Sequence, residues 1–305
     1  MTTREKTGNH PAPAAYGGQA VIEGVMIRGR RTVALACRKP DGGIYRYREP
    51  LDSWLQRSRI ARAPFVRGLV VLWESVSYGV RMLMRSAEVQ MEEGTPSSSS
   101  ASTNVAMAVA LVVALGVFIG IPYVTTQLLR GAVASSLVLN LAEGLIRLLL
   151  FLGYLAVISL MPEIRRVFAY HGAEHMAIHA FEHGDPLTAE RIEPYPTAHP
   201  RCGTAFLLFV VVVTIVLFAF VPRTSLVVDL VARLALVVPV AAISYEVLKL
   251  GAAYETNPLV GAIVWPGLLL QRITTRRPDR GMIEVAAASL EEAIAGDRLA
   301  AEAAR

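Results

Sequence analysis

The chain has 305 residues, of which 53% are hydrophobic and 18% are charged, and its mean hydropathy is +0.44. Soluble domains carry roughly a quarter charged residues, so the composition excludes an ordinary soluble enzyme, a disordered chain and a disulfide scaffold. The formal net charge is +5. In so apolar a chain, this charge is typical of the cytoplasmic segments of a membrane protein, and we expect no nucleic acid partner.

The N-terminal part of the chain predicts a small cytoplasmic α+β region. Residues 1–15 are polar and lack the apolar core of a signal peptide, so we expect them to be disordered. The α+β region follows at 16–93. Residues 32–38 and 44–48 alternate around a Gly/Pro-containing turn and predict a β-hairpin, which a strand at 19–28 precedes.

A helix, a linker and four membrane spans are predicted next. Apolar residues recur at spacings of three and four over residues 64–92, which predicts an amphipathic helix. The Gly/Ser-rich segment 94–104 predicts a flexible linker. Four apolar stretches are then long enough to cross about 30 Å of hydrocarbon. These predicted spans are residues 105–129, 137–161, 204–222 and 227–251.

Basic residues predict the orientation of these spans. Arginines are concentrated before the first span, in the loop 162–203 and in the C-terminal region 252–305. By the positive-inside rule, both termini and this central loop are cytoplasmic, so we expect a mainly α, multi-pass protein of the inner membrane with the lipid bilayer as partner. Acid–arginine pairs near the outer ends of the spans predict paired or snorkelling charges rather than a transport path. They are Glu143 with Arg147 and Asp229 with Arg233.

The central loop contains a histidine-rich helix that predicts a metal site. His171 and His175 are four residues apart, so they share a helix face and can bind one metal ion. Together with Glu174 they match the inverted zincin pattern, in which the glutamate acts as general base. Glu182 lies about 10 Å further along the helix axis than His175, which predicts an outer position or a part in another site.

A second cluster begins the third predicted span. His199 and Cys202 are three residues apart, and both are candidate zinc ligands. Cys202 stands close to a helix N-terminus, which favours its thiolate. Two alternatives remain open at this point: Cys202 as a nucleophile with His199 as its base, and Cys202 as a buried structural cysteine. The spacing of His171 and His175 could also be accidental, and His179 and His183 could simply be solvated.

The chain resembles a known family through several short motifs. It is similar to the YqhQ-like bacterial membrane proteins, which are usually labelled predicted metal-dependent enzymes, from residue 16 to about 293. The resemblance implies a divalent metal, and the motif positions that it matches include His171, Glu174, His175, Glu182, His199 and Cys202. The segments that show the resemblance are residues 16–26, 64–68, 170–175, 199–204, 244–248 and 266–275.

Two more acidic residues are candidates for the same site. The glycines around Glu23 match no phosphate-binding loop, and they predict close backbone approach with Glu23 either directed into a site or exposed on a turn. Glu246 lies toward the cytoplasmic end of the fourth predicted span, where an ionisable group is a functional candidate.

Two functions of different classes follow from these patterns. The first is a metal-dependent hydrolase at the cytoplasmic membrane boundary, in which His171, His175 and either His199 or Cys202 bind Zn²⁺ and Glu174 activates water. Its substrate would be lipid-linked or a membrane peptide. The alternative is a non-catalytic, metal-stabilised scaffold that docks a cytoplasmic protein, which a closed site with four protein ligands would favour.

Overall fold

The structure is a computed structural model that describes residues 16–91, 100–254 and 257–304. The predicted disordered segment 1–15 and most of the predicted linker lie outside the described residues. The last part of that predicted linker belongs to a helix, which begins at Ser100.

Four antiparallel strands form one sheet in the order β1-β2-β3-β4, with bounds β1 Gly17–Val21, β2 Gly24–Arg28, β3 Thr32–Arg38 and β4 Ile44–Pro50. The predicted hairpin is present as β3 and β4, where Cys37 faces Tyr45. The single strand predicted at 19–28 is wrong, because the chain reverses there between β1 and β2. Glu23 has a φ of +50° in this turn, in the left-handed region that residues other than glycine rarely adopt.

Twelve helices, numbered in chain order, are found in the described residues. Proline occupies the first helical position of α6 and α11, where its missing N–H costs nothing. The bounds are α1 Trp54–Arg57, α2 Val66–Gln90, α3 Ser100–Leu115, α4 Ile121–Leu128, α5 Ser136–Ile158, α6 Pro162–Glu182, α7 Ala189–Ile192, α8 Gly203–Ala219, α9 Leu226–Ala235, α10 Val237–Ala253, α11 Pro258–Thr274 and α12 Arg280–Glu302.

Helices cover both faces of the sheet. One face packs against α6 and α12, and the other packs against α2. Strand β3 is therefore buried on both sides, which explains why its sequence is almost continuously apolar. The Asp297 carboxylate accepts hydrogen bonds from the backbone N–H groups of Arg30 and Arg31, so α12 is fixed to the turn between β2 and β3. The sheet and these three helices thus form one α+β layer beside the apolar helices.

Three helical segments among the described residues are long and apolar enough to cross a membrane: Val105–Leu128, Ser136–Ile158 and Leu226–Gly251. The remaining predicted span, 204–222, corresponds to α8. This helix is apolar, but with 17 residues it is shorter than the three segments above. It ends at Ala219, just before Pro222, because a proline disfavours helical backbone in the residue that precedes it.

The acid–arginine pairs predicted near the outer ends of the spans lie in one buried ionic cluster. Glu143 is fully buried and accepts hydrogen bonds from Arg147, Arg223 and Arg233 at 2.7–3.0 Å. Asp229 accepts from the Tyr123 hydroxyl and from Thr224 instead. The pairs are therefore interior contacts between helices, and the snorkelling alternative is wrong for them.

Candidate metal centre

Three side chains of types that commonly bind metal ions converge where α6 meets the start of α8. His171 and His175 lie on one face of α6, and Cys202 is the N-cap residue of α8. The ligand atoms of these three residues all lie within 4.8 Å of one another. Cys202 Sγ is 3.3 Å from His171 Nε2, and the two imidazole rings are 4.4 Å apart between centroids. The spacing of the two histidines therefore places them as the helical periodicity predicts.

Backbone carbonyls fix the orientation of both imidazoles. His171 Nδ1 donates to the Thr274 carbonyl at 2.8 Å, and His175 Nδ1 donates to the Thr197 carbonyl at 2.6 Å. A carbonyl can only accept, so in the neutral form each ring carries its proton on Nδ1 and has its lone pair on Nε2. Metal-binding histidines are oriented in this way by outer hydrogen bonds. The donor set of two imidazole nitrogens and one sulfur fits zinc.

Glu174 lies beside this group with its side chain almost completely buried. One of its carboxylate oxygens is 3.5 Å from His175 Nε2. Burial raises its pKa from 4.5 to about 7, although His171 and a hydrogen bond from the Gly18 backbone N–H lower it in part. A carboxyl group with such a pKa can both take and release a proton near neutral pH.

Burial also sets the charge of the ligands. It raises the pKa of the Cys202 thiol to about 11 and lowers that of His175 well below its ordinary value of 6.5. At neutral pH the thiol is therefore protonated and the imidazole is uncharged. A divalent cation would displace the thiol proton and provide the positive charge that the buried thiolate lacks.

A cavity of about 360 Å³ opens onto the three ligands and Glu174. Strand β1 forms one wall, and the first half of α2 forms another. Arg28 also lines it: its Nη2 pairs with Glu74, whereas its buried Nη1 has no hydrogen-bond partner among the described residues. The remaining lining residues include Gly17, Gly18, Gln19, Val71, Ser75, Tyr78, Ile178, His199 and Arg201.

His199 and Glu182 belong to a second group, together with His179. The His199 ring is 4.5 Å from that of His179 and 5.7 Å from that of His175, so the four predicted ligands do not form one set. The potential ligand atoms of Glu182 and His199 in this second group already contact other protein atoms. Glu182 forms an ion pair with Arg201 and contacts His199 Nε2 at 3.4 Å, while His199 Nδ1 accepts the Arg201 backbone N–H.

The other two acidic candidates lie outside the cavity lining. Glu23 forms an ion pair with Arg166, and the Tyr170 hydroxyl also donates to it. Glu246 forms an ion pair with Arg67 and accepts the Phe65 backbone N–H. Both therefore join elements of the fold, and the suggestion that either one points into the site is not supported by its position.

Sequence reasoning missed most of the surroundings of the site. Gly18 lies so close to α6 that a Cβ atom there would be 3.2 Å from Glu174 Cγ and 2.2 Å from the Met26 carbonyl oxygen. Two consecutive glycines in a strand are the signal that marks such a close approach. The carbonyls of Thr197 and Thr274 leave no comparable signal, because any residue offers a carbonyl.

These features define a mainly helical protein with a small antiparallel sheet, three apolar helices long enough to cross a membrane, and a His₂Cys group beside a buried glutamate. The chain matches the family described as "Protein of unknown function (DUF1385)" over residues 63–296. It is 33% identical over 296 residues to "Uncharacterized protein YqhQ" of Bacillus subtilis (strain 168), with 93% of each chain covered. The chain therefore belongs to this family, as its motifs indicated. No solved structure matches it significantly.

Proposed function

We propose that this protein is a zinc-dependent hydrolase of the inner membrane, with both termini and the metal centre on the cytoplasmic side. Three apolar helices of sufficient length support the membrane location. Helix α8 packs between α5 and α10 and would complete a bundle of four spans. The distribution of arginines supports the orientation.

The convergence of His171, His175 and Cys202 carries the proposal. Their three ligand atoms lie together, and both imidazoles already present Nε2 to the group. Catalytic zinc sites use three protein ligands and leave a position for water or substrate, whereas structural sites are closed by four. A cavity on the open side of the three ligands is the arrangement that a catalytic site requires.

Glu174 is the proton-transfer group in this proposal. When bound, the metal would lower the pKa of water and polarise the bond to be cleaved. The Glu174 carboxylate accepts the proton of the attacking water and delivers it to the leaving group. Its raised pKa of about 7 suits both steps, since the two protonation states are then similarly populated at neutral pH.

Arg28 would orient the substrate. Its side chain lines the cavity, Glu74 holds the guanidinium through Nη2, and the buried Nη1 donor lacks a partner among the described residues. A substrate oxygen, such as that of a carboxylate, phosphate or carbonyl, would satisfy this donor. The substrate itself would be lipid-linked or a membrane peptide, because the site adjoins the ends of the apolar helices.

The scaffold alternative needs a fourth protein ligand, and His199 is the candidate that the sequence predicts for it. Gln271 holds the backbone of His199 at both its N–H and its carbonyl, at 2.8 and 2.9 Å. Arg201 and Glu182 occupy the two ring nitrogens. Closing the metal site with His199 would break these contacts, so the geometry favours the open site.

Metal analysis of purified protein tests the proposal. We expect about one zinc per chain in the wild type, none in His171→Ala/His175→Ala, and an unchanged content in His183→Ala, whose histidine is exposed at the C-cap of the same helix. Equal, negligible metal in all three proteins would overturn the metal centre.

The open position is tested separately with cobalt in place of zinc. In an open site, a small thiol or hydroxamate probe added to the cobalt protein should change the visible absorption spectrum, since it enters the coordination sphere. Glu174→Gln should keep both the metal and this response but lose hydrolysis of a substrate found by screening. A cobalt spectrum that no probe alters would show a closed site and contradict the hydrolase.

A further inference from the structure

Four arginines line a second cavity, which lies apart from the metal centre. It has a volume of about 420 Å³ and is open to solvent, since all four arginines are exposed. The arginines come in two adjacent pairs that are far apart in sequence. The lining consists of Arg165, Arg166, Arg276 and Arg277, with Ala169 and Met282 as its apolar part.

The charge of this group is only partly balanced. Glu23 pairs with Arg166, and Asp279 also acts electrostatically on Arg166 while its carboxylate caps α12 through the Met282 N–H. Four guanidinium groups therefore face two carboxylates. The side chains of Arg276 and Arg277 form no ion pair with any residue in the described ranges. An anion would be attracted to the remaining charge.

The position of the cavity indicates where that anion comes from. Arg165 and Arg166 lie in the first two turns of α6, directly after α5, which is long enough to cross a membrane. Arg276 and Arg277 directly follow α11, and Leu270 of α11 packs with Phe151 and Leu155 of α5. Both arginine pairs thus lie at the same end of the apolar helices, which is where lipid headgroups would lie if these helices cross the membrane as proposed.

We propose that this four-arginine cavity binds the phosphate group of an anionic phospholipid. Guanidinium groups form paired hydrogen bonds with phosphate oxygens, and basic pockets at the cytoplasmic ends of membrane helices bind such headgroups. Ala169 and Met282 would contact the glycerol part of the lipid. The site is distinct from the metal centre, and it requires the membrane location but not hydrolysis.

Native mass spectrometry of the full-length protein, released from nanodiscs that mix phosphatidylcholine and phosphatidylglycerol, tests this site. We expect one retained phosphatidylglycerol in the wild type. Arg276→Gln/Arg277→Gln should bind it roughly tenfold more weakly, because two charge-assisted donors are lost. Arg59→Gln/Arg62→Gln removes two exposed arginines elsewhere and should bind like the wild type.

A thermal unfolding experiment with three ligands distinguishes a lipid site from a soluble-anion site. Titration with short-chain phosphatidylglycerol, short-chain phosphatidylcholine and inorganic phosphate should raise the thermal midpoint with the first ligand only. An equal effect of inorganic phosphate would show a soluble-anion site and overturn the lipid proposal. Undiminished phosphatidylglycerol binding by the arginine variant would also overturn it. Arg165→Gln, on the other segment, provides an independent variant should the first one fail to fold.

Discussion

Gly172 and Arg276 approach so closely that a Cβ atom on Gly172 would lie 2.2 Å from the Arg276 carbonyl oxygen. The same approach lets the Arg276 N–H donate to the Phe168 carbonyl at 2.9 Å and brings the Thr274 carbonyl onto His171. A glycine in the middle of α6 therefore determines how one metal-ligand candidate is oriented.

Gly172→Ala should weaken zinc binding by about tenfold to a hundredfold, the range found when an outer partner of a metal ligand is lost. Alanine is the better helix former by about 1 kcal/mol. Helix propensity alone therefore predicts that Gly172→Ala stabilises α6 and does not weaken zinc binding. Zinc titration with a competing chelator measures the affinity. Gly153→Ala, in the interior of α5 with nothing near its Cβ position, is the matched control. Unchanged affinity in Gly172→Ala would refute the role of this contact.

Gln271→Ala should also lower the zinc affinity without removing any ligand. Gln271 is fully buried and holds the backbone of His199, and the segment around His199 supplies both Cys202 and the Thr197 carbonyl that orients His175. Without these two hydrogen bonds the segment is held less firmly, and the protein should bind zinc about tenfold more weakly. The same titration tests this expectation, with Gln90→Ala as control because the Gln90 side chain donates to the Arg38 carbonyl, away from the metal centre. Equal affinities for the two variants would contradict it.

The Glu23–Arg166 ion pair should make stability depend on pH. The hydrogen bond from Arg166 lowers the pKa of Glu23 from its ordinary 4.5. A carboxylate with a lowered folded-state pKa stabilises the protein above its unfolded-state pKa, and this contribution is lost as the pH falls through the folded-state value. Arg166 is 55% exposed, so the effect should be at most about 1 kcal/mol.

Thermal midpoints of the wild type and Glu23→Gln, taken at about pH 7 and about pH 3, provide the measurement. The wild type should be the more stable at neutral pH, and the difference should shrink in acid. A difference that stays constant between the two pH values would show that the ion pair is not its source.

Glu143→Gln should destabilise the protein by about 3–5 kcal/mol, because it leaves three buried arginines without their shared anion. Glu163→Gln, which neutralises an exposed acid at the start of α6, should have little effect. Thermal unfolding in one detergent compares the two variants. A shift for Glu143→Gln no larger than that for Glu163→Gln would mean that the arginines are balanced by another group.

The sequence predicts those parts of the molecule that depend on local spacing. The hairpin β3–β4, the amphipathic helix α2 and the shared face of His171 and His175 follow from periodicity and turn residues. The prediction of one strand over 19–28 misses the reversal of the chain, although a turn at Glu23 is one of the two alternatives that the neighbouring glycines predict.

The parts of the fold and of the candidate site that the sequence does not predict depend on contacts between distant segments. Glu143 shares its carboxylate with arginines about 80 and 90 positions away, so the buried cluster could not be distinguished from surface pairs by i,i+4 spacing alone. The carbonyls that orient the histidines come from residues 197 and 274 for the same reason.

The hydrogen bond from His171 to Thr274 also fixes an order of events in biosynthesis. The ribosome makes His171 long before Thr274, and at about 5–20 residues per second the interval is on the order of 5–20 s. During that time α12 and the carbonyl that orients the imidazole do not yet exist. A chain arrested before this segment would have both histidines but no oriented pair. In the proposed zinc site, a chain truncated before Thr274 should therefore bind the metal more weakly, because the carbonyl that orients His171 is absent.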